Sequence, residues 1–543
     1  MPMPVNSTHP DYDANILPWM RARDVYAGED AVKAAGQRYL PRLDCQDDTE
    51  YAAYKQRASF FNATARTADG FTGLIFRREP VVKLPQDPLP ISNRQLPNSA
   101  SRLAAALKEF LNNCDLLGTT LSAYAKMLVA EIILVGRAGT LVDWESDGVP
   151  RAYAVRYKAE DILNWRTSMV NGRQVLSLVV LREDVASGKD DGFVCEPVEQ
   201  IRVLRLEPVE AGPATGGRKN GSSRSTLTRP AATLSRSRGR GTSAEWQCVV
   251  EIWQRGSTGK REWQLVETKV PVRRGKPLPL IPFVFHGPRH SLPEVDKIPL
   301  DDIIAKNLDH YRLDADYKHG MHYTALPTAW VSGFDKNSSL RIGSSTAWVA
   351  ETPGATAGYL EFHGQGLATF ERAMDRDEQL MAVLGTRMLE SKKRVGETAA
   401  AIELRQSGEN SILNTVSLSV SASLTQVLRW VYWWNSTEPI PDAIGPDLVL
   451  VTLNNDFSIT GMSALEITAL VAAWQAGAIS QATMLDLFRA GEVIAPGRTN
   501  DEEIQLLQKQ KAENGKAESA ATRAPAIPPT APGDVNATPV NTN

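Results

Sequence analysis

At 543 residues the chain is well past the size, about 250 to 300 residues, at which a single core stops growing, so several domains are expected. A formal net charge of -3 excludes a generic polyanion binder, and any contact with nucleic acid must be local or weak. Cys45, Cys114, Cys195 and Cys248 lie far apart without a CxxC pair, which excludes a disulfide framework and a zinc ribbon and fits a reducing compartment. Met1 to Tyr12 lacks the basic-then-apolar order of a signal peptide. The most apolar early run, Met127 to Val135, contains Glu131 and is far shorter than the roughly 18 residues of a membrane span, so the chain reads as soluble.

Residues 1–20 are expected to form a flexible arm. From Asp13 to about Arg77 the periodicity is mainly helical, with Tyr51, Tyr54, Ala58, Phe61 and Ala65 at helical spacing and an end near Gly70. Ser99 to Gly136 continues with Leu103, Leu107, Phe110 and Leu111, then with a more uniformly apolar helix through Ala123, Met127, Leu128 and Ile132, the pattern of a buried helix. At Gly139 to Trp144 the period changes to that of a strand, and Ala152 to Tyr157, Val175 to Leu181, Ile201 to Leu206, Trp246 to Gln254 and Trp263 to Val270 follow. Pro277 to Pro288 closes this α+β body, residues 21–297. Residues 211–244 interrupt it with Gly, Ser, Thr and seven arginines or lysines but no acid, a composition expected of a disordered insertion. It reads as a tolerated surface loop, with a basic arm touching nucleic acid or an acidic partner as the alternative.

The stretch 298–436 has a different character. Its first helix, 298–323, carries the apolar stripe Leu300, Ile304, Leu308, Tyr311 and Ala315, one narrow seam expected to pack against neighbouring helices. Residues 324–365 read as a small β module with strands at Ala329 to Val331, Thr346 to Val349 and Tyr359 to Phe362, too small to stand alone without support from neighbours such as other subunits. A second helix, 366–390, repeats the pattern with Leu367, Phe370, Met374, Met381, Leu384 and Met388. A basic loop, 391–396, precedes a helix over 397–436 that is roughly 55 Å long. Leu448 to Leu453, within 437–460, is expected to return to the earlier sheet. Residues 461–511 form a small helical unit, and 512–543 a disordered tail.

Catalytic chemistry is not evident. Gly256 to Arg261 lacks the spacing of a phosphate-binding loop and reads as a hairpin turn. His310, His319 and His322 lack the spacing and carboxylates of a metal site. No catalytic residue, metal ligand or cofactor is assigned, and the chain is not expected to be an enzyme. Charge placement is more informative. Residues 301–318 hold the acids Asp301, Asp302, Asp309, Asp314 and Asp316 against Lys306, Arg312 and Lys318, and the second helix adds Glu371, Asp375, Asp377 and Glu378. The loop between the second and third helices is Ser391-Lys392-Lys393-Arg394-Val395-Gly396.

This order of elements resembles the portal proteins of tailed bacteriophages from about Arg21 to Lys511. The resemblance is sharpest from Asn307-Leu308-Asp309-His310-Tyr311 through Ala325-Leu326-Pro327-Thr328 to Gly396-Glu397-Thr398-Ala399-Ala400-Ala401-Ile402. It implies a predominantly helical α+β portal-type fold assembling as a ring: wing at 21–297, stem helix at 298–323, clip at 324–365, second stem helix at 366–390, tunnel loop at 391–396, long wing helix at 397–436, wing strand at 437–460 and crown at 461–511. The basic insertion is the departure from that pattern.

By the same resemblance the chain would form a dodecameric ring at one capsid vertex of the virion, assembled in the host cytoplasm, conducting double-stranded DNA during packaging and ejection. Its partners would be copies of itself, DNA in transit, the terminase that hydrolyses ATP, a major capsid or scaffolding protein, and tail adaptors, with no membrane. Lys392, Lys393 and Arg394 become DNA-proximal candidates; Trp330, Phe334, Arg341, Trp348 and Tyr359 candidates for partner docking; and Asp309, Arg312 and Asp316 candidates for the channel lining. An acid-rich lining would repel phosphates and let DNA slide, while a few bases touch the backbone transiently. The competing readings are a capsid or head-to-tail adaptor protein without a channel, and a nucleic-acid-processing enzyme.

Overall fold

The computed structural model describes residues 4–85, 98–146, 150–186, 197–209, 245–255, 262–324, 328–334, 353–360, 366–386, 399–446, 448–455, 457, 464–490, 493–494 and 500–521. These fall into two compact units divided between Phe457 and Ser458. Helices and strands both contribute, as an α+β fold.

Helices α1 (Pro10–Ala27), α2 (Glu29–Ala35), α3 (Asp48–Arg57) and α4 (Ala63–Ile75) form the N-terminal layer, followed by strand β1 (Val81–Lys83). Where a flexible arm was expected over 1–20, α1 begins at Pro10. The His9 side chain caps it by accepting from the Asp11 N–H, and Tyr12 and Trp19 are buried. The His9 ring stacks on Trp165 at 4.2 Å, and Arg23 pairs with Glu131 and Glu160, so tertiary packing orders a segment with little amphipathic pattern. The Tyr51 to Ala65 stripe is divided between two helices. α3 opens with a reciprocal cap between Asp47 and Glu50, Asn62 caps α4, and exposed Phe61 lies between them. α4 runs through Gly70 to Ile75.

α5 (Asn98–Asn112) and α6 (Leu121–Val135) precede β2 (Ala138–Glu145) and β3 (Arg151–Lys158). Then β4 (Ile162–Val170), β5 (Arg173–Ala186), β6 (Pro197–Pro208), β7 (Trp246–Arg255) and β8 (Trp263–Lys269) form a five-stranded antiparallel meander in sequence order. The sequence reading had no strand over β4, whose outer half, Arg166 to Met169, is exposed, with three polar residues before the methionine. The expected insertion 211–244 lies outside the described residues. Its flanks meet: Pro208 pairs with Trp246, and the Val209 N–H donates to the Glu245 carbonyl at 2.7 Å. The Gly256 to Arg261 turn also lies outside them, between paired Arg255 and Trp263.

The two-residue strands β9 (Val272–Arg273) and β10 (Lys276–Pro277) make a small hairpin, and β11 (Phe283–His286) joins β2 and β3 in a second sheet of order β11-β2-β3. There Gly139 faces the Phe283 ring, and a Cβ at Gly139 would lie 2.3 Å from ring carbon Cζ. The chain continues through α7 (Asp301–Thr324), β12 (Thr328–Ser332), β13 (Thr356–Leu360), α8 (Leu367–Met381) with a π-helical turn at Ala382–Thr386, α9 (Ala399–Asn435) and β14 (Leu450–Thr452). β14 pairs with β1 in a separate two-stranded ladder instead of returning to either larger sheet, because α9 hydroxyls hold its backbone: the Val451 N–H donates to Thr425 Oγ1 at 3.0 Å and the Leu453 N–H to Ser421 Oγ at 2.9 Å.

α9 is embedded in the body through small hydroxyls as well as apolar residues. Ser417 donates to the Asn454 carbonyl at 2.7 Å and Ser419 to the Gly287 carbonyl at 2.8 Å. Ser423 joins a buried relay whose direction follows from its single protons. Ser423 Oγ donates to the Val420 carbonyl, so it accepts from His286 Nδ1 at 2.7 Å. His286 Nε2, then the unprotonated nitrogen of a neutral ring, accepts from Thr140 Oγ1 at 2.7 Å, and Thr140 accepts from the Tyr124 hydroxyl at 2.8 Å. Burial alone holds the His286 pKa at about 3. α6, β2, β11 and α9 are thus tied by one chain of satisfied bonds.

The second unit, described by itself, contains α10 (Ala464–Gln475), α11 (Gln481–Ala490) and α12 (Asn500–Ala521). α12 carries helix past the expected boundary at 511, because a solvated helix needs no apolar stripe to continue; the expected tail beyond Ala521 lies outside the described residues.

Two expectations follow. Gly139→Ala forces the Phe283 ring or β11 to move and destabilises the body by about 1–3 kcal/mol, read as a lowered denaturant midpoint; an unchanged midpoint contradicts the close approach. Because unfolded His286 binds a proton near its ordinary value of 6.5 and the folded residue only near 3, its contribution to stability is complete above pH 6.5 and is lost as pH falls through that window. The loss reaches about 1.4 kcal/mol per pH unit. His286→Asn should flatten the pH dependence of stability between those limits, and an unaltered slope contradicts the assignment.

Candidate functional site: the α7–α8 pair and its hairpin

α7 starts where the sequence places it. The Leu300 carbonyl accepts from the Ile304 N–H at 2.9 Å, and Asp301 and Asp302 occupy the first turn, where negative charge suits the helix dipole. All five stripe residues, Leu300, Ile304, Leu308, Tyr311 and Ala315, are buried. The neighbours expected to cover this seam belong to the same chain. Tyr311 meets Phe60 edge-on at 5.9 Å, and Asn307 donates to the Phe61 carbonyl at 2.6 Å while accepting from Thr64 Oγ1 at 2.9 Å. Periodicity reports that a face is buried, not by which chain.

α8 runs antiparallel to α7, as successive contacts show: Lys306 with Asp377 at 3.7 Å, the Tyr317 hydroxyl with Glu371 at 2.6 Å, and Gly320 against Leu367, where a Cβ on the glycine would come within 2.9 Å. His310 Nε2 lies 3.3 Å from Glu378 Oε1. The acids of α8 therefore serve first as partners for α7. Asp309, with Asp377, raises the Lys306 pKa.

The three channel-lining candidates sit on this helix in different settings. Asp309 holds both Lys306 at 3.0 Å and Arg312 at 3.1 Å, with its side chain 42% exposed. Arg312 also donates from Nε to the Tyr39 carbonyl at 2.8 Å, and Asp316 accepts from the Tyr54 hydroxyl at 2.5 Å, which raises that phenol's pKa behind the larger effect of burial. Arg312 and Asp316 thus lean on the N-terminal layer of their own chain. The sequence reading missed Arg372 and Arg376, exposed one turn apart on α8 with no ion pair among the described residues. They border a surface cleft of about 440 Å³ with Lys306 and Asp377. The signal was present as an i, i+4 arginine pair, but the surrounding acids drew attention from it.

Between the helices, β12 and β13 pair antiparallel with Trp330 opposite Gly358 and Ala329 opposite Tyr359. A Cβ at Gly358 would lie 3.0 Å from Trp330 Nε1, so the glycine admits the indole. Trp330 and Tyr359 are exposed, at 46% and 54%, and Phe334 is half-buried just after Gly333, whose φ of +80° suits a turn. Arg341 and Trp348, with the strand expected at Thr346 to Val349, lie outside the described residues, as do Lys392, Lys393 and Arg394. Among the described residues no group of three His, Cys, Asp or Glu could hold a metal ion, and no helix is long and apolar enough to cross a membrane.

Residues 299–435, from the residue preceding Leu300 to the last residue of α9, match a family model described as a domain of unknown function (DUF4055). No curated protein matches the chain. Among solved structures, one titled as the neck of an empty GTA particle computed with C6 symmetry is similar at 12% identity and a TM-score of 0.34, covering 85% of this chain and 98% of that one. A chain of the virion of a native gene transfer agent (GTA) particle is similar at 10% identity and a TM-score of 0.35, covering 84% and 98%. A chain of the neck of a native GTA particle computed with C12 symmetry gives 10% identity and a TM-score of 0.31, covering 78% and 89%.

Proposed function

We propose that this chain is the subunit of a homo-oligomeric portal ring, conducting double-stranded DNA into and out of a phage-like capsid and docking terminase and then tail adaptors. The observation that carries the reading is the order of elements: a 24-residue helix, an exposed hairpin, an antiparallel return helix and a 37-residue helix whose second half is anchored in an α+β body. These elements are taken in turn as the stem, clip, second stem and long wing helix of the resemblance. In this reading Trp330, Phe334, Arg341, Trp348 and Tyr359 of the hairpin region dock partners. Lys392, Lys393 and Arg394 approach DNA from the segment between α8 and α9, Asp309, Arg312 and Asp316 belong to the stem, and Arg372 and Arg376 join the bases that touch phosphates transiently. The chain would act as conduit, with ATP hydrolysis supplied by the terminase.

A second reading, an adaptor ring without its own channel, is favoured by one observation: the α7 seam is closed within the chain, so the pair does not need copies of itself to be stable.

Negative-stain images of the purified chain should show rings with an axial hole, and rings without one would favour the adaptor. Replacing Lys392, Lys393 and Arg394 together by Ala should leave rings intact while altering packaged genome length or yield. If both quantities match the parent protein, the loop has no such role.

A further inference from the structure

A cleft of about 890 Å³ opens in the first unit where the β4–β5 turn, the start of β7, the β9–β10 hairpin and the chain after α9 converge. Its volume lies within the range of ligand-binding clefts, about 300–1,000 Å³. Trp433, only 2% exposed, and Trp246 are its aromatic surfaces. The Arg273 guanidinium lies 4.0 Å from the Trp433 ring centre, donating from Nη1 to the Glu438 carbonyl at 2.9 Å and from Nη2 to the Ser436 carbonyl. Both acceptors are neutral. Arg273 Nε and Trp433 Nε1 are buried without any acceptor. Burial, and then the neighbouring Arg274, lower the Arg273 pKa to about 10, with the Glu438 carboxylate opposing them.

The hairpin adds a second, independent observation. Arg273 pairs with Lys276, leaving Arg274 and Gly275 as a two-residue turn, and both have positive φ, +53° and +78°. Such turns favour Asn or Asp before Gly, and an arginine there holds its backbone in a disfavoured region. The turn geometry does not account for Arg274, whereas its charge at the mouth of the cleft does. Arg274 and Lys276 are exposed and have no ion pair among the described residues, while Arg173 is matched by Asp442 at 3.8 Å. Glu245 and Glu438 are the remaining acids of the lining.

We propose that this cleft binds an extended, carboxylate-bearing segment of a partner protein. A carboxylate supplies an anion for Arg273, Arg274 and Lys276, which outnumber Glu245 and Glu438 in the lining, and the aromatic surfaces take the flat apolar parts of an extended chain. The proposal does not depend on ring formation, so either can fail alone.

The test uses the full chain and a fluorescein-labelled peptide of alternating Pro and Glu-Glu, followed by fluorescence anisotropy. A Gln-for-Glu peptide and a labelled oligothymidylate serve as comparisons. Saturable binding at least tenfold tighter for the Glu peptide than for either is expected. Arg274→Gly removes the charge and relaxes the turn, so it should weaken binding several-fold without lowering the melting temperature. Arg274→Glu with Lys276→Glu should weaken it at least tenfold. Absence of saturable binding, equal affinity for the Gln peptide, tighter binding of oligothymidylate, or insensitivity to both variants would overturn the proposal.

Discussion

The rest of the first unit depends on how α9 is held. A helix of 37 residues needs lateral support, and here it comes from hydroxyl groups that hydrogen-bond outward as well as from apolar side chains. The relay from Tyr124 through Thr140 and His286 to Ser423 takes its direction from the Ser423 hydroxyl, whose one proton goes to the Val420 carbonyl. Removing any member leaves its neighbours unsatisfied in a buried site, and the penalty falls on four elements together. β14 is subject to the same arrangement, its N–H groups bound by Ser421 and Thr425, and through β14 the N-terminal strand β1 is tied as well.

The elements best foreseen from sequence were those whose burial is set by strong local pattern. α6 reads as uniformly apolar and most of it is buried, although Ala123 and Met127 of the expected pattern are exposed; the α7 stripe reads as one seam, and all five of its residues are buried. Elements whose order comes from distant partners were not legible. α1 mixes apolar and charged residues around its circumference and is fixed by Trp165, Glu131 and Glu160, more than a hundred positions away. β4 alternates poorly because half of it is an exposed edge, and the partner of β14 is specified by serines whose role no periodicity reveals. The candidate site was legible as an order of helices and a hairpin, but not in its contacts.

Those contacts change the electrostatic argument. Acids counted from sequence as a lining that repels phosphate are in part committed elsewhere: Asp316 to Tyr54, Asp314 to Ser59 and Lys318, Asp377 to Lys306, Glu371 to Tyr317. A carboxylate held this way loses its freedom to approach a ligand. Arg372 and Arg376, overlooked beside the acids of α8, have no ion pair among the described residues. Only Asp314 with Lys318 and Asp377 with Lys306 are charge pairs, whose fields largely cancel at a distance; Asp316 and Glu371 accept from neutral phenols, which offset no charge.

Two arginines show how the same chemistry divides between structure and recognition. Arg137 and Arg273 each place a guanidinium against aromatic faces and donate to backbone carbonyls instead of carboxylates, and burial lowers the pKa of both. Arg137 is 2% exposed between Trp165 and Phe285, sealed under the carbonyls of Pro293 and Glu294, so its role ends with packing. Arg273 meets only one ring and opens on a cleft. An unpaired cation is costly in proportion to its desolvation, so the sealed arginine is offset by two rings around it, whereas the open one can be completed from outside. Accessibility, more than residue type, is what separates a buried structural cation from one placed to receive an anion.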